Sequence, residues 1–316
     1  MNLRTIDKDT LNQFLSDSCL PYEAQTKLPA SGQREVYLSQ GLHDNKQYII
    51  KIAHYEKYNI ARVQREIKIL HSINSSYFPK IIFDSFIAEE ILNDYYDNLF
   101  SIDESHKQEV ETYHEAPIRP FYLTIENYIE NSDWTNFRAN ISQQDTIKFI
   151  RDCFKGLELL WNKKIVHRDL KPANILIRPN NKPVIIDLGI AKSFNEGTVD
   201  LTPSFFKNPH TYRFASPEQM LDRKDDISYK TDQYSMGIIA YNILSNNYPF
   251  GDIEEIGPTK LVNNMIQVNY TPISEHGGEC CEELESFIKK LLMPEPHQRF
   301  RTTKKIFQTL EKINGV

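Results

Sequence analysis

The stretch His167-Arg168-Asp169-Leu170-Lys171-Pro172-Ala173-Asn174 decides how this chain is read. A little further on, Asp187-Leu188-Gly189 comes directly after the apolar run Pro183-Val184-Ile185-Ile186. Together these two stretches supply three chemical groups. Asp169 can take a proton from a hydroxyl. Asn174 and Asp187 offer oxygen ligands to a hard divalent cation. A reaction that needs in-line positioning and neutralisation of charge asks for little more.

Composition bounds the rest. The chain has 316 residues, of which 40% are apolar, enough for a sizeable core and against disorder. Its formal net charge is -6 and it carries no long basic block, which argues against a nucleic-acid or anionic-membrane partner. Cys19, Cys153, Cys280 and Cys281 form no C-x-x-C pair, and adjacent cysteines are poor mutual disulfide partners. Reduced thiols and a cytoplasmic setting are the expectation. The first residues lack an apolar signal region, and Asn2 stands where myristoylation needs glycine. No apolar run approaches the roughly 18 residues of a membrane span. The histidines show no zinc-ligand spacing.

Working outward from the quoted stretch, the periodicities predict the elements. Asp9 to Ser18 reads as an amphipathic helix with Leu11, Phe14 and Leu15 on one side, either packed on the outside of what the following strands build or serving as a docking motif. Tyr22 to Ala53 reads as three strands, the last being Tyr48-Ile49-Ile50-Lys51. Tyr58 to His71 is a helix, because Ile60, Val63, Ile67 and Leu70 recur at helical spacing. Glu66 borders that apolar face. Lys80-Ile81-Ile82-Phe83 and Phe121-Tyr122-Leu123-Thr124-Ile125 are further strands. The acidic stretch between them, Glu89 to Pro120, reads as an inserted surface loop or a partner surface. Ser142 with Asp145 caps a helix that carries Ile147, Ile150, Phe154, Leu157 and Trp161 on one face and runs to about Asn162. Thr231 to Ser245 is a second buried helix, with Met236, Ile239, Ile243 and Leu244 inward.

The order HRDLKPAN, DLG and Ala215-Ser216-Pro217-Glu218 resembles the protein-kinase superfamily, specifically eukaryotic-like (Hanks-type) serine/threonine kinases. The resemblance runs over roughly residues 22–310, and the compact chain is similar to stand-alone bacterial members. It implies an α+β, bilobal fold: a small antiparallel-sheet N-lobe with one main helix, and a larger helical C-lobe. On that reading 1–21 is an N-terminal extension, 22–126 the N-lobe with its insertion at 89–120, and 127–316 the C-lobe. The implied cofactors are ATP and Mg²⁺, and the implied partner is a protein carrying the acceptor serine or threonine.

The resemblance also assigns roles. Asp169 is the catalytic base, and Lys171 neutralises the transferring group. Thr211 hydrogen-bonds the base, and Asn174 and Asp187 ligate Mg²⁺. Lys51 contacts the phosphates and forms an ion pair with Glu66. Ser31, Gly32, Val36, Ile49, Glu126, Tyr128 and Leu176 join Lys51 around the nucleotide. Asp232 anchors its helix to the catalytic-loop backbone, and Arg299 pairs with Glu218. Arg168 is expected to read a phosphate on the activation segment, where Ser193, Thr198, Thr202, Ser204 and Thr211 are candidates.

Several positions depart from the family pattern. The three glycine positions of the phosphate loop hold Pro29, Ser31 and Arg34, which leaves Gly32 alone. Ile49 replaces a small residue against the adenine ring. The hinge register leaves open whether Ile125 or Glu126 stands behind the adenine. A pseudokinase scaffold and a kinase-like small-molecule phosphotransferase are the alternative readings.

Overall fold

A computed structural model of the chain describes residues 6–31, 34–54, 57–87, 120–189, 191–193 and 212–313. The described residues form two compact units. The first lies within Met1–Asn74 and Pro79–Tyr128; the second lies within Ile129–Val316 and takes in Ser75–Phe78.

The first unit is built on a five-stranded antiparallel sheet. Its strands are β1 (Tyr22–Ser31), β2 (Arg34–Gly41), β3 (Gln47–His54), β4 (Ile81–Ile87) and β5 (Phe121–Asn127), in the spatial order β1-β2-β3-β5-β4. Alternation along the strands separates two faces. On one, Tyr37, Ile50, Ile52, Leu123 and Ile125 are buried together with helix α1 (Lys8–Asp17). Leu11 and Leu15 of α1 are fully buried and Phe14 nearly so. Burying each of these side chains contributes about 1.5–3 kcal/mol. Asp7 caps α1 by accepting from the Thr10 amide. Asn12 ties the helix to β1, donating to the Ala24 carbonyl at 3.1 Å and accepting from the Ala24 amide at 2.7 Å. The amphipathic segment packs on the first strands as expected, and its Leu11, Phe14 and Leu15 join the buried cluster of this unit. On the other face, Ala53 packs with Val63 and Ile67 of helix α2 (Lys57–Ser72) and with Tyr122.

The second unit is mostly helical. Helix α3 (Trp134–Asn140) leads into α4 (Gln143–Asn162), which starts where expected: the Ser142 hydroxyl accepts from the Asp145 amide. Ile147, Ile150, Cys153, Phe154 and Leu157 of α4 are buried. After the short strand β6 (Ile165–Val166) comes a hairpin of β7 (Ile175–Ile177) and β8 (Pro183–Ile185), then β9 (Lys192–Ser193), which pairs with β6. Helices α5 (Pro217–Met220), α6 (Tyr229–Ser245), α7 (Ile253–Gln267), α8 (Glu282–Leu291) and α9 (Thr303–Ile313) complete it. Met236, Ile239 and Ile243 of α6 are buried as expected, whereas Leu244 is only half-buried. Gly156 of α4 lies against β8: a Cβ there would meet Ile185 Cδ1 at 3.0 Å and Tyr77 Cβ at 3.2 Å. Among the described residues no helix is long and apolar enough to cross a membrane.

Candidate active site

In the second unit the hairpin organises the chemistry. Asn174 immediately precedes β7 and Asp187 lies just past β8. Because the two strands run antiparallel, both residues emerge at the same end, and the Ile186 amide donates to the Asn174 carbonyl at 3.0 Å. Asp169 sits beside them. Lys171 Nζ donates to Asp169 Oδ2 at 2.8 Å. Asn174 Nδ2 donates to the Asp169 carbonyl at 2.8 Å and to Oδ2 at 3.1 Å. Burial pushes the Asp169 carboxyl above its ordinary range, Lys171 pulls it back, and the nearby Asp187 charge adds to the rise.

The loop carrying Asp169 is held from below. Asp232, fully buried on α6, accepts from the His167 amide at 3.0 Å, the Arg168 amide at 2.9 Å and Trp161 Nε1 at 2.9 Å. This is the anchor expected of it, with Trp161 as an unforeseen third donor. Gln219 Nε2 donates to the Arg168 carbonyl at 2.7 Å, and His167 Nε2 lies 3.1 Å from the Ile186 carbonyl. Arg168 and Asp187 both adopt left-handed backbone, with φ 72 and 62. Such positions cost about 1–3 kcal/mol each and persist where surrounding contacts over-determine them. Leu188 is fully buried and Leu176 half-buried.

Arg299 meets Glu218 as expected. Its guanidinium donates to both carboxylate oxygens, at 2.7 and 2.8 Å, and to the carbonyls of Met293, Lys230 and Pro294. Thr231 Oγ1 adds a hydrogen bond to the same carboxylate at 2.9 Å.

In the first unit one expected pair is replaced. Lys51 does not pair with Glu66. It lies 2.7 Å from Glu126 Oε1 and 2.8 Å from Oε2, and Glu66 is instead bound by Arg34. The register explains the exchange. Val36 and Thr124 stand opposite Lys51, Glu126 opposite Ile49, and Arg34 opposite Ala53. Arg34, Val36, Ile49, Lys51, Thr124 and Glu126 therefore share the face on which α2 packs. Ile125 points the other way, into the α1 core. Of Ile125 and Glu126, it is Glu126 that stands beside Lys51. Burial works to lower the Lys51 ammonium, but the Glu126 and Glu66 carboxylates outweigh it and hold it above its usual value, against Arg34.

Of the expected nucleotide contacts, Val36 is buried next to Lys51, and Ile49 and Tyr128 are half-buried. The Tyr128 amide bonds to the Gln47 carbonyl at 3.3 Å. Ser31 closes β1 opposite Arg34, and Pro29 falls at an irregularity in β1 between Leu28 and Ser31. Gly32, Thr198, Thr202, Ser204, Thr211 and nearly all of the acidic stretch 89–120 lie outside the described residues, as does the side chain of Ser193.

The donor set fits Mg²⁺. Asn174 turns its amide nitrogen to Asp169, which leaves Oδ1 on the other side of the group. With the Asp187 carboxylate that gives a hard two-oxygen set, of the kind Mg²⁺ takes when phosphates and water complete its shell.

A model of the protein kinase domain matches residues 22–310, and the chain belongs to that family. It is similar to a probable serine/threonine-protein kinase of Clostridium perfringens, 34% identical over 160 residues, which are 50% of this chain and 22% of the relative. It is also similar to serine/threonine-protein kinase PknB of Mycolicibacterium smegmatis, 27% identical over 206 residues, 63% of this chain and 32% of that one. The chain thus spans a third or less of the length of these relatives. Among solved structures it resembles the autoinhibited serine kinase domain of the giant muscle protein titin, with a TM-score of 0.68 and 19% identity, over 93% of this chain and 81% of that one. That likeness establishes the shared fold: an antiparallel five-stranded N-lobe and a mostly helical C-lobe.

Proposed function

We propose that the chain is a serine/threonine protein kinase that uses ATP and Mg²⁺ to phosphorylate protein hydroxyls. The observation that carries this reading is the Asp169 carboxylate, gripped by Lys171 and Asn174 with Asp187 beside it. Asp169 orients the acceptor hydroxyl and takes its proton as the oxygen attacks. Lys171 sits within hydrogen-bond reach of Asp169, so its positive charge falls where the transferring group would gain negative charge. Asn174 and Asp187 would hold the cation, and Lys51 would orient the α- and β-phosphates. Thr211 would steady Asp169. Bound Mg²⁺-ATP supplies the transferable phosphoryl group and the cationic charge that eases its departure.

The family membership and the Lys171–Asp169 pair, a lysine two residues after the catalytic aspartate, support serine and threonine as acceptors. A scaffold that binds partners without transfer is the competing reading. It draws on the engagement of Lys51 by Glu126 and on Pro29, Ser31 and Arg34 at the glycine positions.

The test is incubation with γ-labelled ATP, Mg²⁺ and a mixed protein substrate. Label should appear on protein serine and threonine with the natural chain and fall by about 10²–10⁴ with Asp169→Asn. Label confined to small molecules, or equal label with Asp169→Asn, would overturn the assignment.

A further inference from the structure

On the side of the first unit's sheet that α2 covers, Arg34, Lys51 and Glu126 of the strands meet Glu66 of α2, four buried or nearly buried charges. Glu66 is 2% exposed and Glu126 4% exposed. The charges balance two against two, yet the hydrogen bonds do not. Both oxygens of Glu126 engage Lys51. Glu66 offers only Oε2, to Arg34, and its Oε1 is buried with no hydrogen-bond partner among the described residues. A buried carboxylate oxygen left without a donor is costly, more so than a neutral group. Thr124 Oγ1, directly opposite Lys51, is likewise buried without a partner. The lysine already feels the Glu66 charge. A long flexible ammonium stem is the kind of donor that can change partners within such a cluster.

We propose that Lys51 has two carboxylate stations, Glu126 and the vacant oxygen of Glu66, and that Glu126 is a positioning residue that sets nucleotide affinity by holding the lysine at the first. With Lys51 on Glu126, its charge is committed to β5. With Lys51 on Glu66, the unsatisfied Oε1 gains a donor while Arg34 keeps Oε2. A ligand that uses the lysine must work against the share of molecules in which Glu126 holds it, and its apparent affinity falls by that share. Glu126 thus does for this chain what a neutral residue at the same position could not. The affinity part of this inference rests on the ATP-binding reading; the two stations themselves do not.

Two measurements decide it. The first needs no nucleotide: titration of the Lys51 amine by NMR in protein with ¹³C-labelled lysine, the signal assigned with Lys51→Arg. With two stations, Glu126→Gln and Glu66→Gln each leave the ammonium a carboxylate partner. Both single variants should then keep its pKa clearly above that of the double variant. A Glu126→Gln value as low as the double variant's would show a single station and overturn the inference. The second is direct binding of the nonhydrolysable analogue adenylyl imidodiphosphate with Mg²⁺. Glu126→Gln should tighten it roughly tenfold, about 1.4 kcal/mol. Glu126→Met, a second neutral side chain of similar length, should do the same, and Glu126→Asp should restore weak binding. Unchanged or weaker binding in both neutral variants would sink the affinity role. If no variant binds the analogue, the ATP-binding reading fails and with it the affinity role, while the NMR titration still decides the stations.

Discussion

Arg299 and Glu218 form a two-pronged ion pair with no exposed surface on either side chain, and three backbone carbonyls share the same guanidinium. The Arg299 guanidinium also stacks 4.8 Å from the centre of the Tyr234 ring. Burial alone would raise the Glu218 carboxyl, but Arg299 outweighs it and holds it below its usual range. Residues 81 apart in sequence are thereby fixed to one another. This pair ties the short helix α5 to the stretch before α9.

Removing one partner of such a pair strands the other charge, which costs about 3–5 kcal/mol. Arg299→Met should therefore destabilise the second unit by that amount, and adding Glu218→Gln should recover part of it. Trp134 and Trp161 are the two tryptophans of the chain and both lie in this unit, so fluorescence-detected urea unfolding reads it directly. A midpoint unmoved by Arg299→Met would mean that the pair is energetically idle.

Helix α1 yields a second stability prediction. Leu11 is fully buried among the inward residues of the sheet. Leu11→Ala should cost about 2–5 kcal/mol through lost burial and the cavity left behind. Amide hydrogen exchange is the measurement: protection across β1, β2 and β3 should fall together. If only α1 itself loses protection, the helix is a passive cover for the sheet.

Asp169 gives a pH prediction whose sign is set by its surroundings. Burial raises its carboxyl, and the reaction needs the ionised form. The acid limb of kcat/KM should therefore lie above the ordinary aspartate range, with activity lost as pH falls through the raised value. Lys171 is the principal group opposing that rise. Lys171→Met should lower the rate and also move the limb to higher pH. A limb that stays in place, or moves to lower pH, would remove Asp169 as its source.

Ile49 tests the nucleotide side. It stands on the same face as Lys51, opposite Glu126 and Leu38. Its bulk should crowd a bound adenine, and overpacking costs about 1–3 kcal/mol. Ile49→Ala should lower KM for ATP by roughly tenfold, since about 1.4 kcal/mol is one decade, with kcat little changed. Steady-state kinetics with a parallel melting curve checks this. A higher KM together with a lower melting temperature would show Ile49 to be a fitted part of the unit.

What the sequence by itself determined is what depends on neighbours along the chain. Helical spacing marked α2, α4 and α6, alternation and β-branching marked the strands, and Ser142 with Asp145 marked a helix start. Asp169, Lys171 and Asn174 are close neighbours in sequence and so were legible as a set, although the shape of their loop is held by Asp232 and Gln219 from far along the chain. The anchor roles of Asp232 and Arg299 were legible only through the family pattern, because their partners lie far off in sequence. Tertiary structure decided the rest. Which carboxylate meets Lys51 depends on the β3–β5 register and on where α2 lies, and no local periodicity encodes either. Lys51 and Glu126 are 75 residues apart, and a slip of one residue would have turned Glu126 into the α1 core and Ile125 toward the lysine. Arg34 could be recognised as a missing glycine, but not as the partner of Glu66, since that contact crosses from β2 to α2. The amphipathic α1 announced its apolar stripe without saying what it would cover. Only the folded sheet, with one face still lacking apolar cover, made Leu11, Phe14 and Leu15 part of its core.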